Sequence, residues 1–203
     1  MTMNWADFLA ESKYVDFSSP NIRGKANELF REGSTDTEKA RTAYEFVRDE
    51  IPHSFDIRSN TITAKASDVL LQKTGVCHAK SNLLAALLRA ENIPVGFCFQ
   101  HITLAADDSR GYCIHCYNAI FTDGRWIKVD SRGNTNGKNA QFSLEEPILA
   151  FPNREGYDEY FLDGIYAHPH KETMMVLENA RSLQDVIENL PDRVFEAPDI
   201  TGL

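Results

Sequence analysis

The chain has 203 residues, of which 42% are hydrophobic, and this is enough for one sizeable hydrophobic core. A net charge of −9 at pH 7, without a visible cluster of lysine and arginine, argues against a nucleic-acid partner. No run of about 18 apolar residues is present, so we expect no membrane span, and residues 1–7 lack the basic and apolar regions of a signal peptide.

The first part of the chain has the periodicity and the capping residues of helices. A short amphipathic helix is expected at residues 5–9, and a serine-proline pair predicts a second helix from Pro20, which Gly33 ends. Residues 35–38 have the spacing of a capping box and predict a third helix as far as residue 50.

The next stretch consists of a loop and two further helices. Residues 53–65 are polar and have no period, so we interpret them as a surface loop, and loops of this length are often functional. Ser67 is expected to cap a short helix that ends at residue 71. The helix after it is strongly apolar and is expected to run from Cys77 to about residue 91.

Cys77 opens this apolar helix, directly after a turn that Gly75 permits. The unpaired N–H groups and the positive dipole end of a helix start favour a thiolate. Cys77 is therefore a candidate nucleophile. The alternative for any single cysteine is a small buried apolar residue, so the choice depends on whether a base lies elsewhere in the chain.

The period changes to that of strands after residue 94. Residues 95–104, 112–121 and 126–130 are rich in β-branched and aromatic residues and predict three strands. Asp123-Gly124 is a strong signal for a two-residue hairpin turn. Helices followed by an antiparallel meander predict an α+β fold, with the cysteine helix packed on the antiparallel sheet.

The remainder of the chain is less regular. Residues 131–139 are rich in glycine and asparagine and are expected to form a loop, while residues 157–165 fit a helix or a strand. Ser182 predicts a last helix that Pro191 closes, followed by an extended tail.

The hairpin places a histidine and an aspartate together. If residues 123 and 124 form the turn, Tyr117 lies opposite Asp130, and His115 is a diagonal neighbour of Asp130 on the same face, roughly 6–8 Å away. A register slip of one residue would move the two to opposite faces. Each residue alone is typical of a half-buried strand or a strand end. Together with Cys77 they supply a nucleophile, a base and an orienting carboxylate.

Four segments carry a resemblance to a known family: residues 70–77, 87–94, 115–118 and 123–130. They contain Thr74-Gly75-Val76-Cys77, Asn92-Ile93-Pro94, His115-Cys116-Tyr117-Asn118 and Gly124-Arg125-Trp126. In this combination the chain resembles the transglutaminase-like superfamily, which has a papain-like cysteine fold. Tyr117 departs from the family, which often has tryptophan at this position.

The resemblance implies a domain organisation and a triad. Length and composition predict a single domain over residues 1–203. The resemblance covers a transglutaminase-like core at 36–132, which leaves a helical extension at 1–35 and a C-terminal extension at 133–203. It also implies catalytic roles for three residues, which are Cys77, His115 and Asp130.

The function expected from this triad is acyl transfer or hydrolysis at an amide or peptide bond of a protein or peptide substrate. Water as acceptor makes the enzyme a hydrolase or protease, and an amine makes it a transglutaminase. The Cys77 N–H is expected to serve an oxyanion hole. Weaker candidates for contact with the substrate are Gln72, His78 and Tyr117. The alternative function is a non-catalytic protein- or peptide-binding module on the same fold.

We expect no metal and no cofactor. Cys113 and Cys116 form a Cys-x-x-Cys pattern, but on a strand they point to opposite faces, which disfavours zinc and a disulfide. His168 and His170 are interpreted as surface residues. Four cysteines without an export signal predict reduced thiols and a cytoplasmic protein.

Overall fold

The computed structural model describes residues 4–202 as an α+β fold, as the sequence predicts. The helices are α1 (Pro20–Leu29), α2 (Asp36–Glu50), α3 (Ala66–Gln72), α4 (Cys77–Arg89), α5 (Lys171–Asn179) and α6 (Leu183–Asn189). The strands are β1 (Val95–Thr103), β2 (Tyr112–Thr122), β3 (Arg125–Val129) and β4 (Tyr160–Phe161). In residues 4–202, no helix has the length and apolar character needed to span a bilayer.

The sheet is antiparallel and has the strand order β3-β2-β1-β4. Strands β2 and β3 pair with Thr122 opposite Arg125, so residues 123 and 124 form the two-residue turn. Asp123 and Gly124 both have positive φ, 51° and 75°, as a type I′ turn requires. The predicted hairpin register is therefore confirmed, and it fixes the position of everything on β2 relative to the end of β3.

Helix α4 forms the centre of the molecule, between α2, α3 and the sheet. Every residue from 78 to 89 is buried, as the apolar run at residues 83–88 predicts. The helix also buries two cationic side chains, Lys80 and Arg89, which donate hydrogen bonds to backbone carbonyls. Lys80 donates to Ile51 O at 2.5 Å and to Arg132 O at 3.1 Å. This lysine thus ties the end of α2 and the segment after β3 to the helix that starts with Cys77.

Two helix boundaries differ from the prediction for local reasons. Helix α1 ends at Leu29 rather than Gly33, because Phe30 is already extended (φ −99°, ψ 121°). Helix α3 begins at Ala66, so Ser67 lies inside its first turn instead of capping it. The Ser67 amide and hydroxyl both donate to Asp16, a tertiary partner that no local pattern indicates.

Two predicted helix caps are present, whereas the opening helix and α5 differ from the prediction. The capping box at Thr35 and Glu38 is confirmed, and so is the Ser182 cap of α6. The opening helix is only a 3₁₀ turn, Asp7–Leu9, and residues 157–165 contain the short strand β4. Helix α5 was not predicted, although its buried Met174 and Leu177 have helical spacing.

Candidate active site

The turn before α4 places Cys77 at the first position of the helix. Gly75 does not have positive φ; a Cβ there would lie 3.2 Å from Thr63 Oγ1 and from Ala79 Cβ, so glycine is needed for close packing. Thr63 Oγ1 donates to the Thr74 carbonyl at 2.9 Å and braces the same turn. Cys77 is half-buried, and no disulfide occupies it.

His115 on β2 and Asp130, directly after β3, lie against each other in the interior. His115 Nε2 is 2.8 Å from Asp130 Oδ2, and the side chains are 2% and 1% exposed. Two backbone amides also donate to this carboxylate: Ala150 N–H to Oδ2 at 3.0 Å and Arg132 N–H to Oδ1 at 3.0 Å. Asp130 is thus held in one orientation and fixes the imidazole ring.

Cys77, His115 and Asp130 shift one another's pKa values toward a thiolate, an imidazolium and a carboxylate. Burial would raise the pKa of the Cys77 thiol, but the charge of His115, its hydrogen-bonding interaction with the thiol and the Cys116 amide lower it below the ordinary value. Burial would lower the pKa of His115, but Asp130 and the Cys77 thiolate raise it well above the ordinary value. Burial opposes ionisation of Asp130, yet His115 and the two amides lower the pKa of that carboxyl.

His53 is a buried member of the site that the sequence did not indicate. Residues 53–65 were interpreted as a surface loop, but His53 is only 5% exposed and pairs by a bridge with Gly75. The Cys77 N–H donates to His53 Nε2 at 3.1 Å. The Cys77 N–H, which is expected to serve an oxyanion hole, therefore already has an acceptor in this structure. Burial and the charges of Arg132 and Lys80 lower the pKa of His53, which favours the neutral ring that can accept this bond.

Cys77 and His115 line a cavity of about 210 Å³. Its apolar walls include Phe55, Ile102 and Leu190, and the Phe151 ring packs edge-on against His115 with centroids 4.9 Å apart. The segment after β3 contributes further lining residues with no sequence signal. These are Arg132, Lys138 and Phe151.

The weaker candidates have different positions. His78 does line the cavity and is buried, with Nε2 donating to Ile114 O at 2.9 Å. Gln72 is exposed at the end of α3 and is absent from the lining, so it is not placed to contact a substrate in this cavity. Tyr117 is buried and lines a second groove with Phe161, which meets the cavity at Phe151, and Tyr117 itself is not part of the cavity lining.

The residues considered for metal binding also differ in position. Cys113 lines the cavity and Cys116 lies in the core, and burial raises the pKa of Cys113 to about 12. His170 is buried, contrary to the expectation of a surface residue. One nitrogen of His170 and one oxygen each of Glu172 and Glu196 lie within 4.8 Å of one another, so these three could hold a metal ion.

Comparison with known proteins gives one family. Residues 23–131 match the family model described as the transglutaminase-like superfamily, a region that includes the cysteine helix, the histidine strand and the aspartate. Comparison with curated protein sequences finds no match.

Solved structures with similar folds are distant in sequence. A protein from Cytophaga hutchinsonii, provisionally assigned as a cysteine protease, has TM-score 0.53 and 20% identity over 65% of this chain and 43% of its own. The periplasmic domain of TgpA from Pseudomonas aeruginosa, bound to ethylmercury, has TM-score 0.47 and 16% identity over 64% and 48%. This chain spans less than half the length of either. At such identity, the first match supports the fold alone.

Proposed function

The chain belongs to the transglutaminase-like superfamily, and from this premise we propose that it is a cysteine-dependent enzyme that catalyses acyl transfer or hydrolysis at an amide or peptide bond. Cys77 is the nucleophile, His115 the acid-base group and Asp130 the orienting carboxylate. The observation that carries the proposal is the buried His115–Asp130 bond of 2.8 Å beside a thiol at a helix start. A raised pKa of the imidazole next to a lowered pKa of the thiol is the combination that a cysteine nucleophile and its base require.

In the proposed reaction, the Cys77 thiolate attacks the carbonyl carbon and forms a tetrahedral intermediate. The His115 imidazolium gives its proton to the leaving amine, and the resulting thioester is then attacked by water or by an amine, which His115 deprotonates. Asp130 keeps Nε2 of the ring engaged, so the other nitrogen faces the thiol.

We propose that the Cys77 N–H serves the oxyanion hole once substrate is bound, although in the free protein it donates to His53 Nε2. Because Cys77 N–H already donates to His53 Nε2, the substrate oxygen has to replace that nitrogen as the acceptor. His53 is therefore proposed to mark the place that the carbonyl oxygen takes. A neutral ring releases such a bond more readily than a buried carboxylate would.

The test is the pH dependence of Cys77 alkylation by iodoacetamide, followed at Cys77 by peptide mass spectrometry. We expect the wild type to react fast at pH 7. In His115→Ala, burial acts on the thiol without an opposing charge, so the reaction should require a pH above about 8.5.

The matched control is His168→Ala, which removes an exposed histidine and should leave the wild-type profile unchanged. A wild-type profile that rises only above pH 8.5, as that of a free thiol does, would contradict the proposed enzyme and favour a binding module.

A further inference from the structure

Apart from the Cys77–His115 pair itself, the charged side chains that line the Cys77 cavity have one sign. The lining contains one arginine, Arg132, and one lysine, Lys138. Among residues 4–202, no aspartate or glutamate lines this cavity. This is unusual for a chain with a net charge of −9. A cavity that is otherwise apolar and histidine-lined thus presents positive charge to its occupant.

Arg132 is already neutralised within the protein. Its guanidinium forms a two-pronged ion pair with Asp56, with Nη2 donating to Oδ1 at 2.8 Å and Nη1 to Oδ2. Thr135 and Asn136 donate to the same carboxylate. This pair shapes the wall, and it leaves little of the arginine's charge for a ligand.

Lys138 differs because its ammonium has no such partner. Among residues 4–202, no carboxylate forms an ion pair with its Nζ. Two carboxylates, Asp56 and Asp130, act on Lys138 through their charge, but Asp56 is paired with Arg132 and Asp130 with His115. Partial burial and the charge of Arg132 lower the pKa of Lys138, the direction expected for a cation that lacks a counter-ion.

The position of Lys138 is fixed relative to the triad. Its Nζ lies 5.1 Å from the centroid of the Phe151 ring, and that ring lies 4.9 Å from the His115 ring, so at most about 10 Å separates the ammonium from the imidazole. The loop is braced by a reciprocal pair between Asn134 and Ala140, at 2.7 and 3.0 Å. A neighbouring cavity of about 470 Å³ shares Lys138 and Phe151 with the first. Glu159 also lines this second cavity, where it is paired with Arg154 at 2.8 Å.

We propose that Lys138 is an anion subsite of the Cys77 cavity, and that the substrate is an amide carrying a carboxylate a few bonds from the reacting carbonyl. This inference rests on the proposed function, because it names the substrate class of the same site. The carboxylate binds the ammonium where the two cavities join, and the apolar walls hold the segment between it and the thiol. A chain-terminal carboxylate and an acidic side chain share this chemistry.

The test compares alkylating reagents that differ only in charge. N-iodoacetylglycine is paired with N-iodoacetylglycinamide for a terminal carboxylate, and N-iodoacetylaspartic acid α-amide with N-iodoacetylasparagine amide for a side-chain carboxylate. Rates at Cys77 are divided by those of a free cysteine derivative. We expect at least one acid to react about five- to tenfold faster than its amide in the wild type, and the preferred pair identifies the source.

The variant Lys138→Gln should abolish this preference, and because each acid is compared with its own amide in the same protein, a general change in thiol reactivity cancels from the ratio. The matched control is Lys128→Gln, which removes the same charge from a residue that lines the second groove with Tyr117, and it should keep the preference. Equal acid-to-amide ratios in wild type and Lys138→Gln would overturn the subsite while fast iodoacetamide reaction still supports the enzyme.

A second measurement does not depend on thiol reactivity. In Cys77→Ser, the affinity for N-acetylglycine and N-acetylglycinamide is measured by nuclear magnetic resonance titration. We expect the acid to bind several-fold more tightly than the amide, and Lys138→Gln in the same background to remove the difference. The N-acetyl derivatives of aspartic acid α-amide and asparagine amide are titrated in the same way for a side-chain carboxylate. Equal affinity of acid and amide in both pairs would overturn the subsite, whether or not the thiol is activated.

Discussion

At the scale of single residues, Asp130 determines how the candidate site is charged. It is buried without solvent contact, and it remains anionic because an imidazole and two backbone amides donate to it. A buried carboxylate with fewer partners would take up a proton instead. One of the amides belongs to Ala150, twenty residues along the chain, so the C-terminal part of the molecule stabilises the charge that orients His115.

We predict that Asp130→Asn lowers the pKa of His115 by at least about one unit, because the buried imidazolium loses its counter-charge. Asp130 also repels the Cys77 thiolate directly, but this effect is the weakest of those that act on the thiol, so loss of the imidazolium dominates. Thiolate reactivity at pH 7 should fall as a result.

The measurement is a nuclear magnetic resonance titration of the His115 ring, combined with iodoacetamide rates. The control is Asp123→Asn in the exposed hairpin turn, where asparagine tolerates the positive φ. An unchanged His115 pKa in Asp130→Asn would show that the carboxylate does not set the charge of the ring.

The sequence indicates part of this site and misses the rest for a physical reason. His115 and Asp130 were predictable as neighbours because a two-residue turn fixes the register of a hairpin, and period-two alternation fixes the face. His53 and Lys138 lie in segments without periodicity, and distant contacts place them. No local pattern encodes that the Cys77 amide meets His53.

At the scale of elements, residues that pack against β1 require a glycine at one of its positions. Gly96 is the second residue of the strand and pairs within the sheet, a position where glycine is otherwise unfavourable. A Cβ at this position would be 2.2 Å from Ile165 Cγ2 and 3.1 Å from Phe8 Cε1 and from the Tyr166 carbonyl. The β-branched and aromatic residues of β1 predict the strand from the sequence. The requirement for glycine at position 96 comes from the tertiary packing of residues 165 and 166 against the strand, which no local pattern predicts.

Gly96→Ala is expected to destabilise the protein by about 2 kcal/mol, because Ile165 cannot keep its position beside an added methyl group. The measurement is the free energy of unfolding from urea denaturation. Gly24→Ala is a matched control within α1, where a Cβ meets nothing within 4 Å, and it should stabilise by about 0.5–1 kcal/mol through helix propensity. Equal effects of the two substitutions would contradict the packing argument.

At the scale of the whole molecule, Arg89 at the end of α4 joins segments that are far apart in the chain. Its guanidinium donates to Ala10 O at 2.7 Å, to Val95 O at 2.6 Å and to Ala167 O at 2.7 Å, and the side chain is almost fully buried. No acidic partner is involved. The central helix therefore holds an N-terminal and a C-terminal segment through one side chain, and neither segment has a sequence pattern that predicts this contact.

We predict that Arg89→Met destabilises the protein by about 3 kcal/mol or more, because a side chain of similar length fills the space but leaves buried carbonyls without donors. The same variant should make the C-terminal segment more sensitive to limited proteolysis under native conditions, since Ala167 loses its link to α4. Arg125→Met, at an exposed residue of β3, is the matched control and should change the free energy of unfolding by less than about 0.5 kcal/mol. If Arg89→Met unfolds at the same urea concentration as the control and shows no added cleavage, the arginine does not hold the terminal segments together.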